Sequence, residues 1–332
     1  MSKIIIGIHG LQNKPAKGIL KKWWRRSIMD GLKALGYSHP FFKFEMVYWA
    51  DLFYPRPLQS NIKDEKDPYC LSEPYVKPQK IEPVVMNSIR KKILRLLEQQ
   101  MDRMFFNDDM SVNFSGITDL ILRRFFKDLN IYYTGICKDR SGIIRPARDV
   151  LREELATVLH KHRRKQILLI GHSMGSIIAY DVLQHVVPQI KIDTFVTMGS
   201  PLGLPVIIHK SLVETYKEVN NSPVRPKTPE NVLNHWYNFS DLHDRVALNF
   251  DLADDYDANQ RNVQVVDFVV NNDYRINGNR NPHKIYGYLR TPEFTRVVHD
   301  FLGEGFFGRW GLFQSLFTDS NPFTQETSMQ ES

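Results

Sequence analysis

Several signatures of well-known protein classes are missing from this sequence of 332 residues. Its two cysteines, Cys70 and Cys137, are too few for the disulfide framework of a small secreted domain. No apolar run approaches the roughly 20 residues that a membrane-spanning helix requires. Phosphate-binding loops, dinucleotide fingerprints and zinc-ligand spacings are also missing, so we expect no metal and no organic cofactor. The chain starts on a short apolar stretch without a signal-peptide cleavage site. Together with the few cysteines, this predicts a cytoplasmic protein.

Charge of neither sign dominates, but the balance is basic, with 44 lysine and arginine residues against 37 acidic ones. Much of the positive charge is grouped at residues 21–26, 90–95 and 160–165. The plainest interpretation is solvated helix faces, and peripheral contact with an anionic membrane surface is the alternative. No nucleic-acid-binding module accompanies the charge, so we do not expect nucleic acid as a partner.

Apolar runs of strand length alternate with segments of helical periodicity along most of the chain. The six predicted strands are residues 3–9, 44–49, 166–171, 192–198, 235–239 and 263–270. The predicted helices that alternate with them are residues 15–36, 146–160, 177–183, 205–219 and 292–302. Such alternation is typical of an α/β fold with one doubly wound, mostly parallel sheet of six strands.

The segment between the second and third predicted strands is too long for a simple connection. Its first part is rich in proline and polar groups, and its apolar spacing predicts helices at residues 87–106 and 117–132. Because sites in such sheets form beyond the carboxyl ends of the strands, we interpret residues 51–145 as an insertion that forms a lid or pocket wall. We expect residues 1–318 to form a single domain containing it, followed by a polar, mobile tail at 319–332.

The most informative motif is the Gly-His-Ser-Met-Gly stretch at residues 171–175. It follows an apolar run typical of a buried parallel strand and precedes an apolar helix. The strand must therefore turn into a helix at Ser173. Gly171 and Gly175 let the two elements approach closely on either side of a strained residue. Such a turn lifts the Ser173 hydroxyl above the sheet at a helix N-terminus, where a nucleophile is expected.

A serine hydroxyl needs a base to take its proton, a group that orients the base, and donors for the developing oxyanion. His9 and Gly10 end the first predicted strand, which we expect beside the strand that carries Ser173. The backbone N–H groups of Leu11 and Met174 are therefore the candidate oxyanion donors. An ordinary glycine turn is the alternative interpretation of Gly10.

Two carboxylates follow the fifth predicted strand, and either one could orient the base. We favour Asp244, because Val246 would place an apolar side chain beneath it, and keep Asp241 as the alternative acid. The candidate base is His283, in the polar loop before the last helix, and His243 is its chief competitor. Serine, aspartate and histidine then follow one another in a known order for such a triad.

These motifs resemble those of the α/β-hydrolase superfamily, in particular its lipase-like serine esterases. The matching residues are His9, Gly10, Gly171 to Ser176, Gly199 to Pro201, Asp244 to Val246, and His283. The resemblance implies that Ser173 is the nucleophile, that His283 is the base, and that an acyl-enzyme forms. It also implies an oxyanion hole made by the N–H groups of Leu11 and Met174.

The chain departs from the family pattern in two ways. It lacks the two leading strands of many members, which implies the smaller six-stranded sheet. It also carries Arg245 where relatives often have proline, which leaves the choice between Asp244 and Asp241 open.

We therefore expect a serine hydrolase that cleaves carboxylic esters, and the apolar insertion favours an acyl or lipid-like ester as substrate. An acyltransferase or a thioesterase could use the same residues, and a non-catalytic binding module is the remaining alternative.

One acidic cluster lacks the spacing of an EF-hand and is interpreted as a solvated loop rather than a calcium site. Its members are Asp251, Asp254, Asp255 and Asp257.

Overall fold

A six-stranded parallel sheet forms the centre of the computed structural model, which describes residues 2–37, 41–78, 129–215, 225–247 and 250–303. The strands of this sheet are β1 (Lys3–Ile8), β2 (Phe44–Val47), β5 (Gln166–His172), β6 (Ile192–Met198), β7 (Val232–Ser240) and β8 (Val265–Val269). Two short antiparallel pairs lie outside it: β3 (Ile136–Lys138) with β4 (Ile144–Pro146), and β9 (Arg275–Ile276) with β10 (Asn279–Arg280).

The spatial order of the sheet is β2-β1-β5-β6-β7-β8, and every neighbouring pair is parallel. The chain moves outwards in one direction from β1 to β2 and in the other from β5 to β8. The order therefore reverses between β1 and β5, the point where such sheets form their sites. The prediction of a doubly wound six-stranded α/β fold is confirmed.

Helices cover both faces of the sheet. They are α1 (Lys17–Ala34), α2 (Ala147–His162), α3 (Met174–Asp181), α4 (Pro205–Thr215), α5 (Ile285–Tyr288) and α6 (Pro292–Gly303). A 3₁₀ turn at Ala50–Leu52, a π-helical turn at Val182–Val186 and helical residues 129–134 complete the helical elements of the described chain.

Alternate residues of the strands enter two separate hydrophobic cores, because successive side chains of a strand point to opposite faces. Ile4, Ile6 and Ile8 of β1 pack with α2 and α3, whereas Ile5 packs with α1 and α6. The central strand β5 divides its apolar residues between the same two cores. Burial on both faces explains why these strands are nearly continuous apolar runs in the sequence.

Element boundaries differ from the predicted ones mainly at the later strands. Strand β7 begins earlier than expected, because Val232 already pairs with Ile192. The register between β6 and β7 shifts between this pair and the next one, Thr194 with His235. Strand β8 is shorter than the predicted 263–270. The hairpin of β3 and β4 was not predicted; it shows three exposed isoleucines, which give no alternating pattern. They are Ile136, Ile143 and Ile144.

Part of the predicted insertion can be described. Residues 129–134 are helical, which covers the end of the helix predicted at 117–132. The remainder of that helix and the helix predicted at 87–106 lie outside the described residues, as does the tail at 319–332. The limits of the insertion and of the single domain therefore stay predictions. Across the described ranges, no helix has both the length and the apolar composition needed to cross a bilayer.

Candidate active site

Ser173 occupies the turn between β5 and α3. Its backbone φ of 54° and ψ of −130° form a strained conformation for a residue other than glycine. The Ser173 N–H donates to the carbonyl oxygen of Met198 at 3.0 Å, which ties the turn to the end of β6. Helix α3 begins at Met174, and the first N–H groups of a helix have no intrahelical acceptor. Backbone N–H groups that lack the usual intrahelical acceptor therefore lie next to the serine.

Close backbone contacts account for the two glycines of the motif. A Cβ atom on Gly171 would lie 2.7 Å from the Cα atom of Ser176. A Cβ atom on Gly175 would lie 2.5 Å from the carbonyl oxygen of Ile8. No side-chain rotation could relieve either contact, so only glycine lets α3 begin this close to β1 and β5.

The loop that follows β1 lies directly against the serine side chain. A Cβ atom on Gly10 would lie 2.6 Å from Ser173 Cβ and 3.2 Å from Ser173 Oγ. The next residue, Leu11, is the candidate oxyanion donor. The Lys14 ammonium donates to the carbonyl oxygens of Leu11 and Gln12, and Gln12 turns the chain with a φ of 67°. The loop is thus held in place beside the hydroxyl by its own side chains.

His9 supports this loop from behind. Its Nδ1 donates to the carbonyl oxygen of Gly10 at 2.7 Å, and its Nε2 accepts from the Trp49 backbone N–H at 3.2 Å. The imidazole also stacks on the Trp49 indole, with ring centroids 4.6 Å apart. Burial and the nearby Lys14 charge lower the pKa of His9 to about 3. His9 is therefore a neutral structural residue at physiological pH.

His283 and Asp244 are hydrogen-bonded to each other. Nδ1 of His283 lies 2.9 Å from Asp244 Oδ1 and 2.8 Å from Oδ2. The carboxylate is buried and also accepts from the Tyr288 hydroxyl at 2.8 Å and from the Val246 N–H at 2.9 Å. These donors stabilise an anionic carboxylate. Donation from Nδ1 leaves Nε2 of His283 free to accept a proton.

The alternative acid, Asp241, has other partners. Its Oδ2 pairs with the Arg280 guanidinium and accepts from the Asn272 N–H at 2.7 Å. Its Oδ1 accepts from the His243 N–H at 2.8 Å and lies 3.2 Å from His243 Nδ1. The structure therefore pairs the two competitors of the sequence analysis, Asp241 and His243, with each other and with Arg280.

Contacts around His172 bring the serine turn to the loop that carries His283. His172 Nε2 donates to the carbonyl oxygen of His283 at 2.8 Å, and the two rings lie 4.8 Å apart. A Cβ atom on Gly199 would lie 2.7 Å from Asp244 Oδ2 and 3.1 Å from His283 Nδ1. The ends of β5, β6 and β7 and the loop after β8 therefore meet at one edge of the sheet, where Ser173 stands.

Two residues of this edge were not predicted as part of the site. Burial and the adjacent His283 lower the pKa of His172 well below its usual range, so His172 is a neutral donor. The hydroxyl of Tyr288 lies between the two aspartates, donating to Asp244 Oδ2 and accepting from the Asp241 N–H at 2.9 Å. His172 lies within the serine motif but was given no role of its own, and no local pattern distinguishes Tyr288 from a core residue.

The described residues offer no cluster of metal-binding side chains, and a cavity among them lies apart from Ser173. Nowhere in the described ranges do three His, Cys, Asp or Glu side chains group so that they could hold a metal ion. A cavity of about 410 Å³ lies between α1 and residues 48–57, lined partly by Tyr48 and Arg140. Tyr48 packs edge-on against His9. This cavity therefore borders the support of the Gly10 loop rather than the Ser173 hydroxyl.

Comparison with known proteins gives one family match. Residues 140–281 match the family described as the PGAP1-like alpha/beta domain. The match spans fewer than half of the residues of the chain. It includes Ser173 and Asp244 and ends just before His283.

The extent of similarity differs between two of the matching proteins. The GPI inositol-deacylase of Coccidioides immitis (strain RS) is 36% identical over 118 residues, which are 35% of this chain and 9% of that protein. The chain thus spans only a small part of that relative. Phospholipase PlaB from Legionella pneumophila has a solved structure with 10% identity and a TM-score of 0.25, covering 75% of this chain and 41% of that chain. That similarity is too low to add to the argument.

The topology of the sheet and the position of the serine turn agree with the family match. The fold and the partial family match both fit an α/β-hydrolase of the lipase-like kind.

Proposed function

We propose that the protein is a serine hydrolase that cleaves carboxylic esters, with Ser173 as nucleophile, His283 as general base and Asp244 as the residue that orients the base. The observation that carries the proposal is the hydrogen bond of 2.8 Å between His283 Nδ1 and Asp244, at the same edge of the sheet as the strained Ser173. A buried carboxylate that orients an imidazole beside a serine on a strand–helix turn is the arrangement that activates a hydroxyl.

The reaction proceeds in two halves. Ser173 Oγ attacks the carbonyl carbon of the ester while its proton passes to His283 Nε2. The N–H groups of Leu11 and Met174 stabilise the oxyanion. The bond to the leaving alcohol then breaks, and His283 returns the proton to the alcohol oxygen. A water molecule attacks the acyl-enzyme with His283 again as base, which releases the carboxylic acid and restores Ser173.

Charge around the base favours this cycle. Asp244 is an anion held by two neutral donors, so it stabilises the imidazolium that forms when His283 takes the proton. His172 touches the same loop but is uncharged, because its pKa is lowered by burial and by His283. A second cation in contact with the imidazolium would raise the barrier, and the neutral His172 avoids this.

We further propose an acyl or lipid-like ester as the substrate. The relative that is 36% identical over 118 residues is named GPI inositol-deacylase, and the removal of an acyl group supports an ester of an acyl group with an alcohol. The apolar spacing within the predicted insertion points in the same direction. Transfer of the acyl group to an acceptor other than water, or cleavage of a thioester, would use the same residues and is the alternative.

We also propose that the protein contacts an anionic membrane surface at the β2 edge of the sheet. Lys165 Nζ lies 3.1 Å from His162 Nδ1, and Lys21 Nζ pairs with Glu45 of β2 at 3.5 Å. Burial and the charges of Lys165, Lys161 and Lys21 lower the pKa of His162, and the Glu45 charge opposes this shift. Lys21 comes from α1, whereas Lys161 and Lys165 come from the end of α2. Two basic groups far apart in the sequence are thus close in space, and such a group attracts anionic lipid.

A fluorophosphonate probe tests the catalytic proposal, because it labels a serine only where that serine is activated. We expect labelling of the wild type and of Ser141→Ala, a variant of an exposed serine outside the site, and none of Ser173→Ala. A wild type that is not labelled, or a Ser173→Ala variant that is labelled equally, contradicts the proposal. Product analysis with acyl esters of increasing chain length, with and without an added alcohol acceptor, then separates hydrolysis from acyl transfer.

A further inference from the structure

The loop that carries His283 is held through its backbone on its inner side. Asn272 Nδ2 donates to the carbonyl oxygens of Pro282 and Lys284, each at 2.8 Å. His172 holds the carbonyl oxygen of His283 itself. The three consecutive carbonyl groups around the base are therefore bonded to side chains from outside the loop. The outer side of the loop is held by different contacts.

Glu73 occupies that outer side. Its Oε1 accepts from Asn281 Nδ2 at 2.7 Å, and its Oε2 accepts from Lys284 Nζ at 2.9 Å. The Oδ1 of the same Asn281 side chain accepts from the backbone N–H of His283 at 3.1 Å. One carboxylate therefore binds the loop on both sides of the base, directly at Lys284 and through the Asn281 amide at His283.

Glu73 is ionised in the folded protein at neutral pH. Burial raises the pKa of its carboxyl group, but Lys284, the bond from Asn281 and the nearby His283 more than offset this, and the pKa lies below its usual range. The negative charge is half-buried beside the base, where it compensates the Lys284 ammonium. An uncompensated ammonium on Lys284, the residue next to His283, would oppose formation of the imidazolium.

The segment that carries Glu73 is itself fastened to the structure around the base. The Tyr274 hydroxyl donates to the carbonyl oxygen of Pro74 at 2.7 Å, and Arg290 Nη1 donates to that of Val76 at 2.6 Å. Arg290 is in turn paired with Asp273 in a buried salt bridge. Glu73 therefore does not behave as a mobile surface charge, because its backbone is anchored next to the loop that it binds.

We propose that Glu73 is a positioning residue for the base, holding the loop of residues 281–284 so that His283 faces Ser173. The inference rests on the proposed function and extends it to the insertion predicted at residues 51–145. The first part of this insertion then contributes a residue that positions His283. This is separate from any role of the insertion as a lid or pocket wall.

The variant Glu73→Gln tests this proposal, because it keeps the size of the side chain and removes its charge. We expect kcat for ester hydrolysis and the rate of fluorophosphonate labelling to fall roughly tenfold, with KM changed less than about twofold. A merely structural role would not separate kcat from KM in this way. The matched control is Asp51→Asn, which breaks the 2.6 Å ion pair with Arg140 in the same predicted insertion. The control is expected to keep the labelling rate of the wild type.

A double variant distinguishes the effect of the Glu73 charge on Lys284 from a general increase in the mobility of the His283 loop. If Glu73 acts partly by compensating Lys284, then Glu73→Gln combined with Lys284→Met recovers part of the activity lost in Glu73→Gln. The proposal is overturned if Glu73→Gln is labelled as fast as the wild type, or if it is slowed no more than Asp51→Asn. A wild type that is not labelled at all instead overturns the proposed function, so the two failures are distinguishable.

Discussion

Asp241 and Asp244 stand in one short loop after β7 but have different electrostatic surroundings. Asp244 accepts from His283 and from two neutral donors. Asp241 neutralises the guanidinium of Arg280. The same substitution should therefore have different consequences at the two positions, which makes them a matched pair for testing the assignment of the acid.

We expect Asp244→Asn to lower kcat by about three to four orders of magnitude while the protein stays folded, because an amide cannot hold the tautomer that donates from Nδ1. Asp241→Asn should instead leave Arg280 without its counter-charge and reduce the free energy of unfolding by about 1–3 kcal/mol, with little loss of kcat per folded molecule. Ester turnover and urea denaturation of both variants provide the measurement. If Asp241→Asn alone abolishes turnover in a folded protein, Asp244 is not the acid.

At the scale of elements, helix α3 is anchored at both of its ends. Ser173 precedes its first residue, and Asp181 is its last. The buried Asp181 carboxylate accepts from the Tyr132 hydroxyl at 2.5 Å and pairs with Arg148 and Arg152 at 2.8 and 3.0 Å. Burial and the Asp181 charge raise the pKa of Tyr132 well above its usual range, so its hydroxyl stays a donor. One carboxylate thus joins α3 to α2 and to helical residues 129–134.

Removal of this charge is expected to be costly, because two arginines would keep their charge without a buried partner. We expect Asp181→Asn to lower the free energy of unfolding by about 3–5 kcal/mol, read from the midpoint of urea denaturation. The control is Glu153→Gln, which breaks an exposed pair with Arg145 and should cost less than about 1 kcal/mol. Equal and small effects of the two substitutions would show that the Asp181 cluster does not stabilise the packing of α3.

At the scale of the whole molecule, the basic group at the β2 edge predicts salt-dependent membrane binding. We expect the wild type to cosediment with vesicles containing anionic lipid at about 0.05 M salt and to be released at about 0.5 M, where charges are screened. Neutral vesicles should not bind it. No binding to anionic vesicles at low salt would remove the proposed contact.

A triple substitution localises this binding. Replacement of Lys21, Lys161 and Lys165 by glutamine should weaken vesicle binding strongly, since each lysine near an anionic surface contributes about 1 kcal/mol. Replacement of Lys63, Lys66 and Lys138 by glutamine changes the net charge equally at other exposed positions. If both triple variants lose binding to the same extent, net charge rather than the β2 edge accounts for the attraction.

The amino-acid sequence alone determined the sheet and the position of the serine turn. Strands that are buried on both faces require nearly continuous apolar runs, and β5 shows one directly in the chain. The turn after β5 needs glycine two residues to either side of Ser173, because backbone atoms of Ser176 and Ile8 leave no space for a Cβ atom. The apolar run and the glycine spacing both involve residues that are close in the sequence, so the sequence alone indicates them.

Only the tertiary structure decided which groups surround His283. Asp241 and Asp244 carry similar local signals, and the choice between them as neighbours of His283 depends on how the loops after β7 and β8 fold back over the sheet edge. Glu73 and Lys284 are 211 positions apart in the sequence, and no period or motif connects them. Their contact arises because the segment after β2 and the loop before α5 leave the same end of the parallel sheet. Parallel strands bring such distant loops together, which explains why a local pattern could indicate Ser173 but not the residues that hold His283.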